Sequence, residues 1–564
     1  MTATGNDTEA DSRGLDESPV VYGPARALPA SPASPEEHTV VHYTPLTTVQ
    51  RLRDGVMTDR LAGWIVTAAI TVLAFVIRWV NYWVPDKVVF DETYYAKDAW
   101  TLWKFGYERA WPDGDVVNPK IIAGDVNTYL DGPAFIVHPP IGKWLIGAGE
   151  QLFGMNPTGW RFMPLIFGTL LVFATIRLAR RLSRSTLIGG IAGLLLTLDG
   201  LAFTMSRIAL LDIFQAFFLV VAVSCCVADR DWYRWKLADR LERMGVPDFG
   251  GSFGPVIWLR PWRLAAGVAF GLALGSKWNS VFVLAVFGIL SVLWDVGARR
   301  LAGADWKGWL ALVIDGIPAF LRLVVVAALV YVASWTGWLT TTGGYGRDWG
   351  LKNPDNPLVI YLGERWASFL HYQQDILNFH TGDYINNLTP HPYAAHPAGW
   401  LVLARPITFD AENSIAAGTQ GCQVAAGDTC QRVLIALGTP VLWWMAAIAL
   451  VVAIIWWIGG KDWRFAVPVL AALATYIPWF FSTSRSQFFF YAITIVPFTV
   501  IALAMVLGLI LGPANGRHRR RGAIIVGVAV ALVAANFAWI YPVLTDALLT
   551  RGEWLARMWL RSWI

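Results

Sequence analysis

Leu61–Val84, LAGWIVTAAITVLAFVIRWVNYWV, runs directly into Pro85–Tyr95, PDKVVFDETYY. The first stretch is apolar over a length that spans the roughly 30 Å hydrocarbon core of a bilayer, with Arg78 inside its outer half. The second stretch sets two adjacent acids, Asp91 and Glu92, ahead of Tyr94 and Tyr95 where the chain leaves the membrane. A carboxylate at that level can take a proton from a water-soluble hydroxyl while a lipid supplies the other reactant. On residue type alone, a solvated acidic turn is the plainer reading of such a pair. The rest of the chain shifts the balance.

Apolar runs of spanning length recur at about 62–84, 159–178, 185–204, 208–228, 262–276, 280–297, 318–338, 435–458, 464–482, 487–511 and 522–541. They predict an all-α polytopic membrane protein with about eleven transmembrane helices. Hydrophobic residues make up 55% of the chain against 15% charged, which excludes an ordinary soluble surface. The 31 tryptophans suit many membrane–water interfaces. A net charge of +5 is no argument for a nucleic-acid partner, because the basic residues crowd the connections between spans. Residues 1–50 lack a cleavable signal peptide and are polar, with Pro, Ser, Asp and Glu abundant, so a disordered cytoplasmic extension is expected.

Basic clusters at Arg177–Arg184, Arg230–Arg263, Arg299–Lys307, Lys461–Arg464 and Arg517–Arg521 fall on one side if the spans alternate. The positive-inside rule then places the N-terminus in the cytoplasm and the C-terminus outside. The transmembrane domain covers 51–541, with outward loops at 85–158, which holds the acidic pair, and at 339–434. His138–Phe153 and the tail 542–564, with Trp554, Trp559 and Trp563, are expected as amphipathic segments at the interface. Cys225 and Cys226 lie in an apolar run and read as packing. Cys422 and Cys430 lie in the second outward loop, where a disulfide is expected.

Exceptions to the charge pattern carry information. The outward turns Met205-Ser206-Arg207, Ser276-Lys277-Trp278-Asn279 and Thr483-Ser484-Arg485-Ser486 each hold one basic residue. Arg78 and Lys143, the latter just after His138-Pro139-Pro140, add two more. Singly, each is explained by snorkelling to headgroups. Together, on the side of the acidic pair, they fit convergence on one anion, for which lipid-linked phosphate is the natural candidate. A carboxylate base and a phosphate cradle point to sugar transfer from a lipid phosphate to a hydroxyl. The departing phosphate is a good leaving group, so positive charge replaces a general acid. A two-carboxylate retaining route is disfavoured, because adjacent side chains in an extended segment point to opposite faces.

Beyond the Phe90-Asp91-Glu92 motif, the chain carries His138-Pro139-Pro140-Ile141-Gly142-Lys143, Leu198-Asp199 and Ser206-Arg207-Ile208-Ala209-Leu210-Leu211-Asp212. It continues with Ser276-Lys277-Trp278, Asn378-Phe379-His380, His391-Pro392-Tyr393, Arg405-Pro406-Ile407, Phe490-Tyr491 and Pro497-Phe498. In order, spacing and side, this set resembles the protein O-mannosyltransferases, members of the GT-C class of membrane glycosyltransferases, over about residues 62–541. The resemblance implies transfer of mannose from polyprenyl-phosphate-mannose to Ser or Thr of exported proteins. It implies Asp91 as general base with Glu92 positioning the acceptor, and Arg207, Lys277 and Arg485 at the donor phosphate. Arg78, His138, Lys143, Asp212, His391 and Tyr491 become site support, with Asp212 a buried partner for Arg207 or a polar helix end. Ala492-Ile493 stands where the family has a histidine and an aromatic, which puts donor contacts from that helix in doubt. The second loop is too short for the β-trefoil module of fungal and animal relatives, which favours a bacterial enzyme of actinobacterial type.

His371, His380, His391 and His396 are too widely spaced for a recognised ligand pattern, and no metal or cofactor is expected. A divalent ion at Asp91 and Glu92 is the disfavoured alternative. Expected partners are the lipid-linked donor, Ser/Thr-rich exported acceptors and, through export, the Sec translocon. Asn387-Leu388-Thr389 meets the N-glycosylation pattern, but Pro390 follows it. Two rivals remain: a GT-C transferase acting on lipid or cell-wall glycan, and a lipid-linked-sugar transporter. A transporter needs ionisable groups along a passage through the bilayer, whereas the unusual charges here gather near one face.

Overall fold

Apolar residues without an intervening proline or cap carry the first helix, α1 (Arg60–Trp79), across a full spanning length. In the computed structural model, which describes residues 46–53, 59–382, 391–482 and 485–564, helices dominate. Expectations for residues 1–45, for Asn387-Leu388-Thr389 and for Thr483-Ser484 lie outside the described residues.

Residues 85–158 fold into α2 (Glu92–Phe105) and α3 (Ile141–Phe153), with a short helix, Gly114–Ile122, between them. Then follow α4 (Pro157–Ser183), capped by the Asn156 side chain, α5 (Thr186–Thr197), and α6 (Asp212–Met244). At 1.5 Å per residue the 33 residues of α6 run about 50 Å, well beyond the hydrocarbon core. Pro261–Leu274 is α7, and Ser280–Arg299 (α8) continues through π and 3-10 turns to α9 (Val326–Ser334). The second outward loop holds α10 (Pro357–Thr381), kinked where Gly363 takes a φ of 77°. The chain closes through α11 (Pro440–Gly459), α12 (Trp463–Tyr476), α13 (Val496–Leu511) and α14 (Arg519–Ile540).

Among the described residues seven helical runs are long and apolar enough to cross a membrane, and α5, α7 and α13 are shorter apolar helices. The protein is therefore a multi-pass membrane protein. The core is one large apolar cluster centred on α4, α6 and α13, while α1 and α14 keep most of their apolar surface outward. Close approach is set by glycine. A Cβ on Gly159 would lie 1.9 Å from the Gly154 carbonyl, and one on Gly168 would lie 2.0 Å from Ser206 Oγ.

Three expectations are corrected. First, the molecule is mostly helical, not all-α. Ile407–Ala416 (β1) and Thr429–Ala436 (β2) form an antiparallel pair, with Ile407 opposite Ala436, and Cys422 and Cys430 joined within the hairpin. Second, the tail is not a simple amphipathic segment: Leu548–Thr550 (β3) pairs with β2 and is followed by a short helix, Arg551–Arg557. Third, Arg260 and Arg263 are not free charges of a connection. Both are buried and share Asp229 and Asp295 at 2.6–2.9 Å, a network in which each charge meets its opposite.

Candidate functional site

Asp91 and Glu92 do not sit in an extended strand. Asp91 is helical in backbone and precedes α2, and Glu92 is its first residue. Their side chains nonetheless have opposite fates. Glu92 is fully buried and meets Arg161 in a two-pronged pair, with Nε to Oε1 at 2.7 Å and Nη2 to Oε2 at 2.8 Å. It also accepts from the Val89 and Ala209 N–H groups. Arg161 spends its other N–H groups on the carbonyls of Trp83, Pro85 and Lys87, so all five are used. This knot pins the loop that carries Asp91 to the N-terminal end of α4. Glu92 thus holds the loop, and the expected acceptor contact is corrected, because no part of its carboxylate is open.

Phe90, between the knot and Asp91, has φ = 47°, a left-handed conformation costly for a side chain of this size. Rings hold it there: Phe409 at 5.2 Å, Phe490 at 5.8 Å and Phe488 at 5.9 Å between centroids. The Asp91 carboxylate that follows makes no hydrogen bond or ion pair with another described residue and keeps part of its surface open. Burial pushes its pKa up to about 6, opposed by Lys277 and reinforced by Asp212. One helical turn on, Tyr95 lies on the same face of α2. Burial, with Asp91 and Asp212 beside it, keeps its phenol well above its ordinary range.

Lys277, in the turn between α7 and α8, is paired with Asp212 at the start of α6, Nζ lying 2.9 and 2.8 Å from the two oxygens. Asp212 is therefore the partner of Lys277, not of Arg207, because α6 begins facing the α7–α8 turn. Lys277 Nζ also lies 4.9 Å from the Tyr491 ring centre. Arg485 donates to His380 Nδ1 at 3.3 Å, while His380 Nε2–H donates to the Val137 carbonyl at 2.7 Å, which fixes the neutral tautomer. His138 stacks on His380 at 5.3 Å. Burial, then Lys277, His380, Lys143 and Arg485, holds His138 well below the usual histidine range. Tyr491 lies in electrostatic reach of Lys277, Arg485, Asp212 and Asp91 and stacks on Trp479 at 4.6 Å. The buried Nε–H of Arg485 finds no partner among the described residues. Asp91, Asp212, Lys277 and Arg485 thus gather around the Tyr491 phenol, with the stacked His138 and His380 beside Lys277 and Arg485.

Other expected site residues sit further out. Lys143, 1% exposed, bonds Glu108 at 2.8 Å and Asp98 at 3.4 Å, where burial raises the Asp98 carboxyl. Arg78 is buried, donating to Ser206 Oγ at 3.1 Å and to the Ala74 and Leu196 carbonyls. Arg207 is held by the Asn81 carbonyl at 2.6 Å and lies over the Phe203 ring, with Tyr541 and Arg161 as its charged or polar neighbours. Those are not the neighbours of Lys277 and Arg485, so Arg207 belongs to a separate cluster with the loop anchor. His391 is exposed; its Nδ1 accepts from the Tyr393 N–H and its ring packs on Phe488. His371 stacks on Trp349 and His396 accepts from the Ala398 N–H, so the four loop histidines serve separate turns and rings.

The sequence reading missed Arg161, Tyr95 and His380. Arg161 stands inside the outer end of an apolar run, the same signal that marks Arg78. His380 stands in the Asn378-Phe379-His380 motif, and Tyr95 follows from Asp91 at helical spacing once α2 is granted.

A multi-pass helical membrane protein with an unpaired carboxylate beside two cations is an arrangement suited to a membrane glycosyltransferase. Two family models match: "dolichyl-phosphate-mannose-protein mannosyltransferase" over residues 68–238, and "C-terminal four TMM region of protein-O-mannosyltransferase" over 365–563. The polyprenol-phosphate-mannose–protein mannosyltransferase of Mycobacterium tuberculosis is 36% identical over 90% of this chain and 92% of its own. That of Corynebacterium glutamicum is 34% identical over 88% and 92%. A chain of the Saccharomyces cerevisiae protein O-mannosyltransferase Pmt1–Pmt2 complex bound to the sugar donor shares the fold, with a TM-score of 0.67, 14% identity, and 92% and 94% of the two chains covered. The chain belongs to the protein O-mannosyltransferase family.

Proposed function

We propose that this mannosyltransferase moves mannose from polyprenyl-phosphate-mannose to Ser and Thr hydroxyls of exported proteins, by a single inverting displacement at the outer face. The observation that carries the mechanism is that Asp91 is unpaired beside Lys277, while the neighbouring acids are committed: Glu92 to Arg161, Asp212 to Lys277, and Asp98 and Glu108 to Lys143. Asp91 takes the acceptor proton as the hydroxyl oxygen attacks the sugar's anomeric carbon. The bond from that carbon to the phosphate oxygen breaks, and polyprenyl phosphate leaves with the electron pair. Lys277 and the open Nε–H of Arg485 hold the phosphate and offset its growing charge, so no general acid is required. His138 and His380, both neutral, line the site without competing for the anion.

A second carboxylate nucleophile has no candidate within the site, since Glu92 is locked, and no metal is assigned to the reaction. In this reading the eleven apolar stretches all cross the bilayer, the N-terminus lies in the cytoplasm and the C-terminus outside. Label from the donor appearing on a Ser/Thr peptide, with the anomeric configuration reversed, is the expected result. Label on lipid or wall glycan alone, or retained configuration, contradicts it.

A further inference from the structure

A protein acceptor must bring a backbone-borne hydroxyl to Asp91, so some surface beside that residue has to receive a polypeptide. β1 is the strand that packs against the residue before the base. Its Phe409 ring packs on Phe90, one residue before the base, and its Asp410 pairs with Lys87 at 2.8 Å. β1 is the outer strand of a three-stranded sheet ordered β1-β2-β3. Among the described residues, 407–415 make main-chain hydrogen bonds only with β2. One full edge of N–H and C=O groups is thus unclaimed.

That edge is shaped against indiscriminate pairing. The register slips between Thr408 and Asp410 and again between Glu412 and Ile415. Such bulges twist a strand and limit how far a neighbour can follow it. They leave a short pairing stretch next to the site. Ala411 is exposed in that stretch, and Asn413 and Ser414 are exposed in the second bulge beyond it; all three are small or polar.

We propose that the acceptor docks as an added, antiparallel or parallel strand on the free edge of β1, which delivers a Ser or Thr hydroxyl to Asp91. The inference rests on the protein-acceptor reading above. Main-chain hydrogen bonds would supply the affinity, as in other strand-addition complexes. Main-chain pairing makes recognition depend on an extended conformation more than on sequence. Extended segments that lack bulky residues fit this surface, and a helical presentation of the hydroxyl does not.

The test is an N-methyl scan of a Thr-bearing acceptor peptide assayed with the full-length enzyme. Each N-methyl group deletes one main-chain donor without changing a side chain. Strand addition predicts that KM rises about fivefold to tenfold at every second position flanking the Thr, the loss of one net hydrogen bond, with kcat little changed. A second arm places Ala411→Cys in the enzyme and a cysteine two residues from the Thr in the peptide. Cross-linking there, blocked by excess unmodified peptide and absent for Asp355→Cys at a remote exposed site, is expected. A flat scan or non-alternating losses, with the unmodified peptide still mannosylated, overturn strand docking alone. No cross-link at Ala411→Cys does the same. Failure of the unmodified peptide to accept mannose overturns both this inference and the protein-acceptor reading.

Discussion

At the residue scale, catalysis and architecture divide between two neighbours. Burial raises Asp91 to about 6, so the proposed base is protonated below that value and ionised above it. The pH profile of kcat/KM is therefore expected to fall on its acid side with an apparent pKa near 6, and the limb should vanish in Asp91→Asn. Glu92 and Arg161 form a buried, fully bonded pair. Removing one charge strands the other, at a cost of about 3–5 kcal/mol. Glu92→Gln should thus lower the melting temperature in detergent sharply, whereas Asp91→Asn, which breaks no bond, should leave it nearly unchanged. Equal melting temperatures for wild type and Glu92→Gln would contradict the anchor role. The sequence singles out the acidic pair but not this division between an unpaired Asp91 and a committed Glu92. Which acid is committed depends on Arg161, some seventy residues away, and no local pattern reports that.

At the scale of elements, α3 packs closely on α2 and α4 through glycines: Gly147 lies against the Trp103 ring, and Gly149 and Gly159 meet backbone. Gly159→Ala would drive a Cβ to within 1.9 Å of the Gly154 carbonyl, a backbone atom that cannot swing aside. The expected cost lies at the upper end of the roughly 1–3 kcal/mol typical of overpacking, read as a lower melting temperature with weaker transfer. The eleven apolar stretches predicted from sequence are each largely helical, since spanning hydropathy is a strong local signal. The sheet was not foreseen. β1 alternates poorly, β2 has an almost continuous buried face, and β3 is only three residues long. Strands of that kind are set by partners distant in sequence, as the pairing of Cys430 with Thr550 illustrates. The cysteines in the hairpin were the one local hint that the second loop is built rather than loose.

At the scale of the whole molecule, charge sidedness carries the topology. A membrane-impermeant thiol reagent on intact cells is expected to label Asp355→Cys in the second outward loop, and to label Arg243→Cys near the end of α6 only after lysis. The native cysteines do not interfere: Cys225 and Cys226 are buried and Cys422 is bonded to Cys430. The reverse labelling would invert the orientation. The positive-inside reading used several arginines that prove to be buried in ion pairs, among them Arg260, Arg263 and Arg299. Sequence could count those charges but not see their partners, so the sidedness rests on the remaining basic residues. The convergence of Lys277 and Arg485 was legible as charge on the unexpected side, while the separate grouping of Arg207 was not, because helix ends at similar depth can face different neighbours. The most direct measurement of the central claim uses purified enzyme, radiolabelled polyprenyl-phosphate-mannose and a Ser/Thr peptide from an exported protein. Wild type should place label on the peptide, and Asp91→Asn should lose roughly 10²–10⁴-fold in rate while binding the donor as tightly. Transfer at the wild-type rate by Asp91→Asn would contradict the account.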